Sequence, residues 1–172
     1  MITHIRMRNF KSWKDSGEVK LAPLTGFFGT NSSGKSSLLQ MLLLLKQTVG
    51  RDEVIFFGDE TSLVNLGSFG EVIHGHSKEE LLELEFGSKL RNSLTIRTLQ
   101  SDPYSRSGYS YQPLDIDHFT FDTAIRENSG SLFVEYFSYI IGPEPIEKIK
   151  CKDGHLYYGD MNWDDVNAAN IY

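Results

Sequence analysis

The sequence predicts an α/β fold, with one strand–loop–helix unit followed by a layer rich in β-strands. Three observations lead there. Gly29-Thr30-Asn31-Ser32-Ser33-Gly34-Lys35-Ser36 satisfies the pattern GxxxxGK[ST] in full. A short apolar run, Leu24 to Phe28, precedes this loop, and a leucine block, Leu38 to Leu45, follows it. Beyond Gly50, stretches such as "EVIFF", "LLELEFG", "LTIRTL", "IDHFTFDT", "LFVEYFSYII", "IEKIKC" and "HLYYGDM" are rich in β-branched and aromatic residues. Most are separated by Gly, Ser, Asn or Pro.

Taken in order, Ile2 to Phe10 alternates with a period of two. Ile5 and Met7 lie on one face and His4, Arg6 and Arg8 on the other, as in a half-exposed strand. Asp15-Ser16-Gly17 is a turn, and Glu18 to Leu21 alternates again. Residues 2 to 21 therefore read as two neighbouring strands, antiparallel because their connection is short. Leu24 to Phe28, with Gly26 inside it, suits a buried central strand that another element approaches closely. Lys35 to Val49 reads as a helix stopped by Gly50. Its apolar residues, Leu38, Leu39, Met41, Leu42, Leu43, Leu44 and Leu45, cover almost the whole circumference and predict burial on most sides. Residues 101 to 113, "SDPYSRSGYSYQP", read as an exposed loop or hairpin.

The loop suits the capture of a phosphate chain. Backbone N–H groups of Gly29, Asn31, Ser32, Ser33, Gly34, Lys35 and Ser36 can converge on an anion at a helix N-terminus, where the macrodipole is positive. Gly29 and Gly34 permit backbone angles and a close approach that a Cβ would obstruct. Lys35 is expected to reach the β and γ phosphates, Ser36 to offer its hydroxyl to Mg²⁺, and Ser37 to donate to the α phosphate. The expected cofactors are ATP and Mg²⁺. Hydrolysis also needs carboxylates at the end of a buried strand, and no catalytic residue is assignable from the sequence.

Several other groups invite a chemical reading and receive a plainer one. Asp59 and Glu60 follow Gly58 and read as a turn rather than a catalytic pair. Asp115 and Asp117 share a strand face with few apolar neighbours, as on a solvated edge. Ser129-Gly130 reads as a turn. His74 and His76 share a strand face at i, i+2, yet no Cys or carboxylate pair completes a metal site. Cys151, between two lysines, lacks a histidine partner and reads as an inert thiol.

The totals narrow the class. The chain has 172 residues, 40% of them apolar and 12% aromatic, enough to bury a core. A net charge of −6 excludes a chain-wide basic field, while a local nucleic-acid patch is neither indicated nor excluded. A single cysteine cannot bridge internally, which fits a cytoplasmic protein and equally a secreted one without disulfides. The N-terminus lacks the pattern of a signal peptide, and the leucine block is far shorter than the roughly 20 residues of a membrane helix.

Asn9-Phe10-Lys11-Ser12 closing a strand, an antiparallel strand, a GxNxSGK[ST] loop and "FGDETSLVNLGSFGEVIHG" from Phe57 to Gly75 together resemble the N-terminal part of RecF/SMC-like ATPases. They are similar above all to the AAA-family ATPases related to the OLD proteins. The resemblance is strong over about the first 75 residues. It implies a P-loop NTPase head of the ABC-ATPase type, with a mixed sheet around a buried P-loop helix and an antiparallel β layer beside it. Lys11 and Ser12 would then lie near the nucleotide, whereas the residues alone suggest a solvated lysine at a strand end. The resemblance also implies a homodimer that sandwiches ATP, ATP hydrolysis in the complete protein, and action on DNA or a partner nuclease in repair or anti-phage defence. The Walker B strand, signature loop and switch histidine belong to the family's C-terminal part. Residues 1–172 are accordingly expected to be an N-terminal lobe, with a strand–P-loop–helix core over 1–50, a β-rich layer over 51–160 and the C-terminal half absent. A non-catalytic nucleotide sensor and a P-loop kinase are the alternative readings.

Overall fold

The computed structural model describes residues 1–77, 79–141, 147–152, 155–158 and 161–162. Near the N-terminus, β1 is Ile2–Phe10, β2 Trp13–Asp15 and β3 Val19–Lys20. Two helices follow, α1 (Lys35–Thr48) and α2 (Phe69–Val72), with a 3₁₀ turn at His74–His76. The remaining strands are β4 (Leu82–Ser101), β5 (Tyr109–Asn128), β6 (Ser131–Ile141), β7 (Glu147–Lys152), β8 (His155–Tyr158) and β9 (Met161–Asn162). They form one sheet in the order β2-β1-β4-β5-β6-β7-β8-β9, with β3 also paired to β1. Every pairing among the described residues is antiparallel. The mixed sheet implied by the resemblance is therefore not formed among them: β4 to β9 follow one another through short connections and pair as antiparallel neighbours, and β1 runs antiparallel to β4 across the helical segment.

The alternation in β1 sets the two faces of the sheet. Ile5 and Met7 are fully buried and pair in register with Phe86 and Leu84. They join Leu82 and Ile125 on the face that receives Leu38, Met41 and Leu44 of α1. Ile55, Phe57, Leu66, Phe69, Val72 and Ile73 close the same core. The other face carries the charged residues of β1.

Three expectations are corrected. Residues 24–28 form no strand: Leu24 is 92% and Phe28 95% exposed, and Phe27 alone of the run packs against the core. A local turn, in which the Ala22 N–H donates to Thr25 Oγ1 (2.9 Å), holds the start of this segment in place of a strand ladder. Residues 53–57 are irregular as well, although Ile55 and Phe57 are buried. Their backbone groups are met by side chains of α1: Gln47 Nε2 donates to the Phe56 carbonyl (2.8 Å) and the Phe56 N–H to Thr48 Oγ1 (3.0 Å). Lastly, α1 is buried on one face, along Ser37, Leu38, Met41 and Leu44, and Leu39 is 52% exposed. A helix laid on a single sheet buries the stripe that faces it, whatever the composition of its other sides.

The "LLELEFG" and "LTIRTL" stretches merge into β4, and "IDHFTFDT" lies inside β5. These 20-residue strands outrun their neighbours, so Leu94 to Ser101 pairs with Ile116 to Tyr109 as a two-stranded ribbon beyond the main sheet. Backbone bonds between Asp102 and Gly108, with Tyr104 99% exposed, close its tip. Among the described residues, no helix is long and apolar enough to cross a membrane.

Candidate functional site

The loop between residues 29 and 34 is curled. Gly29, Ser32 and Gly34 have φ of 153°, 62° and 83°, in the left-handed region where glycine is at ease and a side chain is costly. Gly34 is the N-cap of α1, no side chain caps the helix there, and its first turn contains no acidic residue. The positive end of the helix is thus left without a compensating carboxylate from its own first turn. Lys35 folds its ammonium back on the loop, donating to the carbonyls of Gly29 (2.9 Å) and Thr30 (2.5 Å), with Ser33 Oγ at 3.4 Å. Asn31, Ser32, Ser33 and Ser36 are exposed, whereas Gly34 and Ser37 are buried.

The "NFKS" strand end is bent by Asn9 and Lys11, with φ of 53° and 51°. Their strain is held by tertiary bonds. Asn9 Nδ2 donates to the Leu81 carbonyl (3.0 Å), the Lys11 N–H to the Val72 carbonyl (2.6 Å), and His74 Nδ1 to the Lys11 carbonyl (2.8 Å). This bend carries Lys11 and Ser12 to a polar hollow of about 380 Å³, whose wall also contains Ser37 and Gln40 of α1, Glu71 and His76. Residues 26 positions apart in the chain, Lys11 and Ser37, therefore share one cavity wall. Sequence reasoning missed Gln40, Glu71 and His76 here. The available signal was Gln40, the polar interruption of the leucine block one turn beyond Ser36.

Trp13 was missed as well. Its indole Nε1 donates to the Gly34 carbonyl (3.0 Å), and its ring lies where a Cβ on Gly34 would go, 2.5 Å from Nε1 and 2.8 Å from Cε2. Gly34 is required twice over, by its backbone angle and by this close approach.

The remaining candidates take the plainer roles. Asp59 accepts from the Ser62 hydroxyl and from the Thr61 hydroxyl and N–H, and these bonds lower its pKa to about 2. It is the hub of a turn. Ser129 and Gly130, both at positive φ, make the β5–β6 hairpin turn. Asp115 accepts from Thr95 across the ribbon. The histidines are corrected: they sit in the 3₁₀ turn rather than on a strand, and His76 Nδ1 bonds the Gly70 carbonyl (2.8 Å). Among the described residues no group of three His, Cys, Asp or Glu could hold a metal ion. The Cys151 side chain lies outside the described residues.

A charged lattice fixes the hairpin that carries Trp13. Arg6 holds Asp15 through Nε (3.1 Å) and Nη2 (2.7 Å), Arg8 reaches Asp15 (3.2 Å) and Glu83 (2.7 Å), and the Gly17 N–H donates to Asp15 (2.8 Å). The bond from Arg6, followed by that from Gly17, holds the Asp15 carboxyl well below the usual carboxylate range. A depressed carboxyl contributes stability that is complete above its unfolded-state value near pH 4 and is lost as the pH falls towards its folded-state value. Asp15→Asn is expected to cost about 0.5–1 kcal/mol at pH 7, the scale of exposed ion pairs. It should also flatten the fall in melting temperature between pH 5 and pH 3, relative to the wild type. Glu85 acts with opposite sign: burial raises its pKa, so it opposes folding at neutral pH and ceases to do so once protonated. Melting curves across that acid range check both directions.

The family model described as AAA ATPase domain matches residues 1–149. No curated protein matches the chain. Since that match runs from the first residue into β7 and takes in the GKS loop and its helix, the chain belongs to the AAA ATPase domain family and is an ATP-binding ATPase domain with a P-loop NTPase fold.

Proposed function

We propose that residues 29–37 bind the triphosphate of ATP together with Mg²⁺. The observation that carries this reading is the Lys35 ammonium folded onto the Gly29 and Thr30 carbonyls at an uncapped, acid-free helix N-terminus. The residues suit the ligand: the helix N-terminus is uncapped, glycine stands where a side chain would collide, and the flexible cation needs to exchange only carbonyl oxygens for phosphate oxygens. Gly29, Asn31, Ser32, Ser33, Gly34 and Lys35 form the cradle, Ser36 offers its hydroxyl to Mg²⁺, and Ser37 donates to the α phosphate. Bound Mg²⁺ supplies charge neutralisation between phosphate oxygens. The hollow lined by Lys11, Ser12, Gln40 and His76 adjoins Ser37 and receives the nucleoside end.

The wider reading is that of an ATP-binding lobe from a cytoplasmic RecF/SMC/OLD-like head of ABC type. In the complete protein it dimerises around ATP, hydrolyses it and gates action on DNA or a partner nuclease. The "NFKS" strand end beside the P-loop helix supports this reading, and the hydrolytic carboxylate is unassigned.

Titration of ATP with and without Mg²⁺ into the wild type and Ser36→Ala tests the site. Mg²⁺ should tighten ATP binding by the wild type and do so about tenfold less for Ser36→Ala, the worth of one hydrogen bond or ligand contact of this kind. The same enhancement in both proteins would remove Ser36 from the metal, and no binding by the wild type would remove the site.

A further inference from the structure

An anion nest binds more tightly when its peptide planes are fixed before the ligand arrives, since otherwise each N–H must be ordered at the moment of binding. The Gly34–Lys35 peptide is the one that joins loop to helix. Glycine at Gly34, with φ of 83°, gives that plane more rotational freedom than any other residue would. Within the α1 backbone the Ser37 N–H reaches the Gly34 carbonyl (3.1 Å), a three-residue bond of the looser helix-end kind. The second partner of this carbonyl comes from outside the loop, from Trp13 Nε1.

We infer that Trp13 is a positioning residue for the phosphate loop: by holding the Gly34 carbonyl, it turns the Lys35 N–H to face outward from the helix N-terminus into the nest. The inference rests on the nucleotide reading above. In a trans peptide the C=O and N–H vectors are antiparallel and coplanar, so anchoring one fixes the other. The indole does this from two sides, since its N–H bonds the carbonyl and its ring abuts the Gly34 Cα where no Cβ intervenes. The ring is itself anchored. Trp13 pairs with Phe10 in the β1–β2 ladder and packs against the core, and Asp15, two residues on, is clamped by Arg6 and Arg8. Trp13 thereby ties the loop to the rigid end of β1 and acts on the nest through Gly34.

Competition of inorganic tripolyphosphate and of ATP, each with Mg²⁺, against a fluorescent ATP analogue tests this in the wild type, Trp13→Phe and Lys35→Ala. Phenylalanine keeps a ring against Gly34 and removes the N–H. The expected result is a loss of about 2- to 10-fold in Trp13→Phe, the worth of one net hydrogen bond, by the same factor for both ligands. A residue that only supports the fold would shift the melting temperature and leave binding well below it unchanged. Loss confined to ATP would mean that the indole touches the base, and unchanged affinity for both would mean that the peptide holds its own orientation. Either outcome overturns the inference while Lys35→Ala still binds about 100-fold more weakly than the wild type. Lys35→Ala binding as the wild type does would instead sink the phosphate-loop reading beneath it. Exchange of the Trp13 indole proton, followed in a Trp163→Phe background, should be slowed relative to free indole; unhindered exchange would also refute the bond.

Discussion

Lys35→Ala is expected to bind ATP·Mg²⁺ about 100-fold more weakly than the wild type, with a melting temperature shifted by less than about 2 °C. The binding loss follows from removing at least two charge-assisted hydrogen bonds to phosphate, each worth about 1.5–3 kcal/mol, so that about 3 kcal/mol becomes two decades in affinity. The small stability effect follows from the surroundings of the same ammonium. Its partners, the Gly29 and Thr30 carbonyls, belong to exposed residues, and water replaces the lysine when it is removed. Substitutions of exposed groups are usually worth less than about 0.5 kcal/mol. Isothermal titration beside a thermal melt separates the two. Equal affinity in both proteins would count against the loop as a triphosphate site, and a large fall in melting temperature would mean that the lysine holds the loop together.

The second large effect concerns the helix behind the loop. Leu44→Ala is expected to destabilise the domain by about 2–5 kcal/mol, because Leu44 is fully buried between α1 and the sheet and its removal leaves a cavity. Leu39→Ala, one turn from the helix start and 52% exposed, should cost less than about 1 kcal/mol. Alanine has the higher helix propensity, which offsets part of the lost area. For a domain of this size the contrast amounts to roughly 4–20 °C against less than about 4 °C in melting temperature. Comparable losses at both positions would restore the all-round burial that the composition of the helix suggested, with a further surface covering Leu39.

What could be read from the sequence was local in its physics. The GxxxxGKS spacing, the glycines at Gly29 and Gly34, the start of α1 at Lys35 and its end within a residue of Val49 all depend on backbone angles and on neighbours within one turn. The same is true of the period-two strand β1, the turn at residues 129–130 and Asp59 as a turn residue, whereas Asp15, read as part of a turn, ends strand β2, and the chain reverses earlier, at Lys11–Ser12. The candidate phosphate loop therefore stands out in the sequence alone, and its backbone is curled.

Tertiary structure decided what depends on which surface meets which. Seven apolar residues in α1 specify a greasy helix but not the number of elements that cover it, and in this fold one face of one sheet does so. The run at residues 24–28 has the composition of a central strand and stays exposed, because a strand requires a partner ladder that its own residues cannot supply. Trp13 against Gly34, and Lys11 beside Ser37, arise from the bend at the end of β1, whose left-handed angles at Asn9 and Lys11 are held by bonds to Val72, His74 and Leu81 some 60 to 70 residues away. Periodicity and propensity carry no information about contacts at that separation, and those contacts build the walls around the loop.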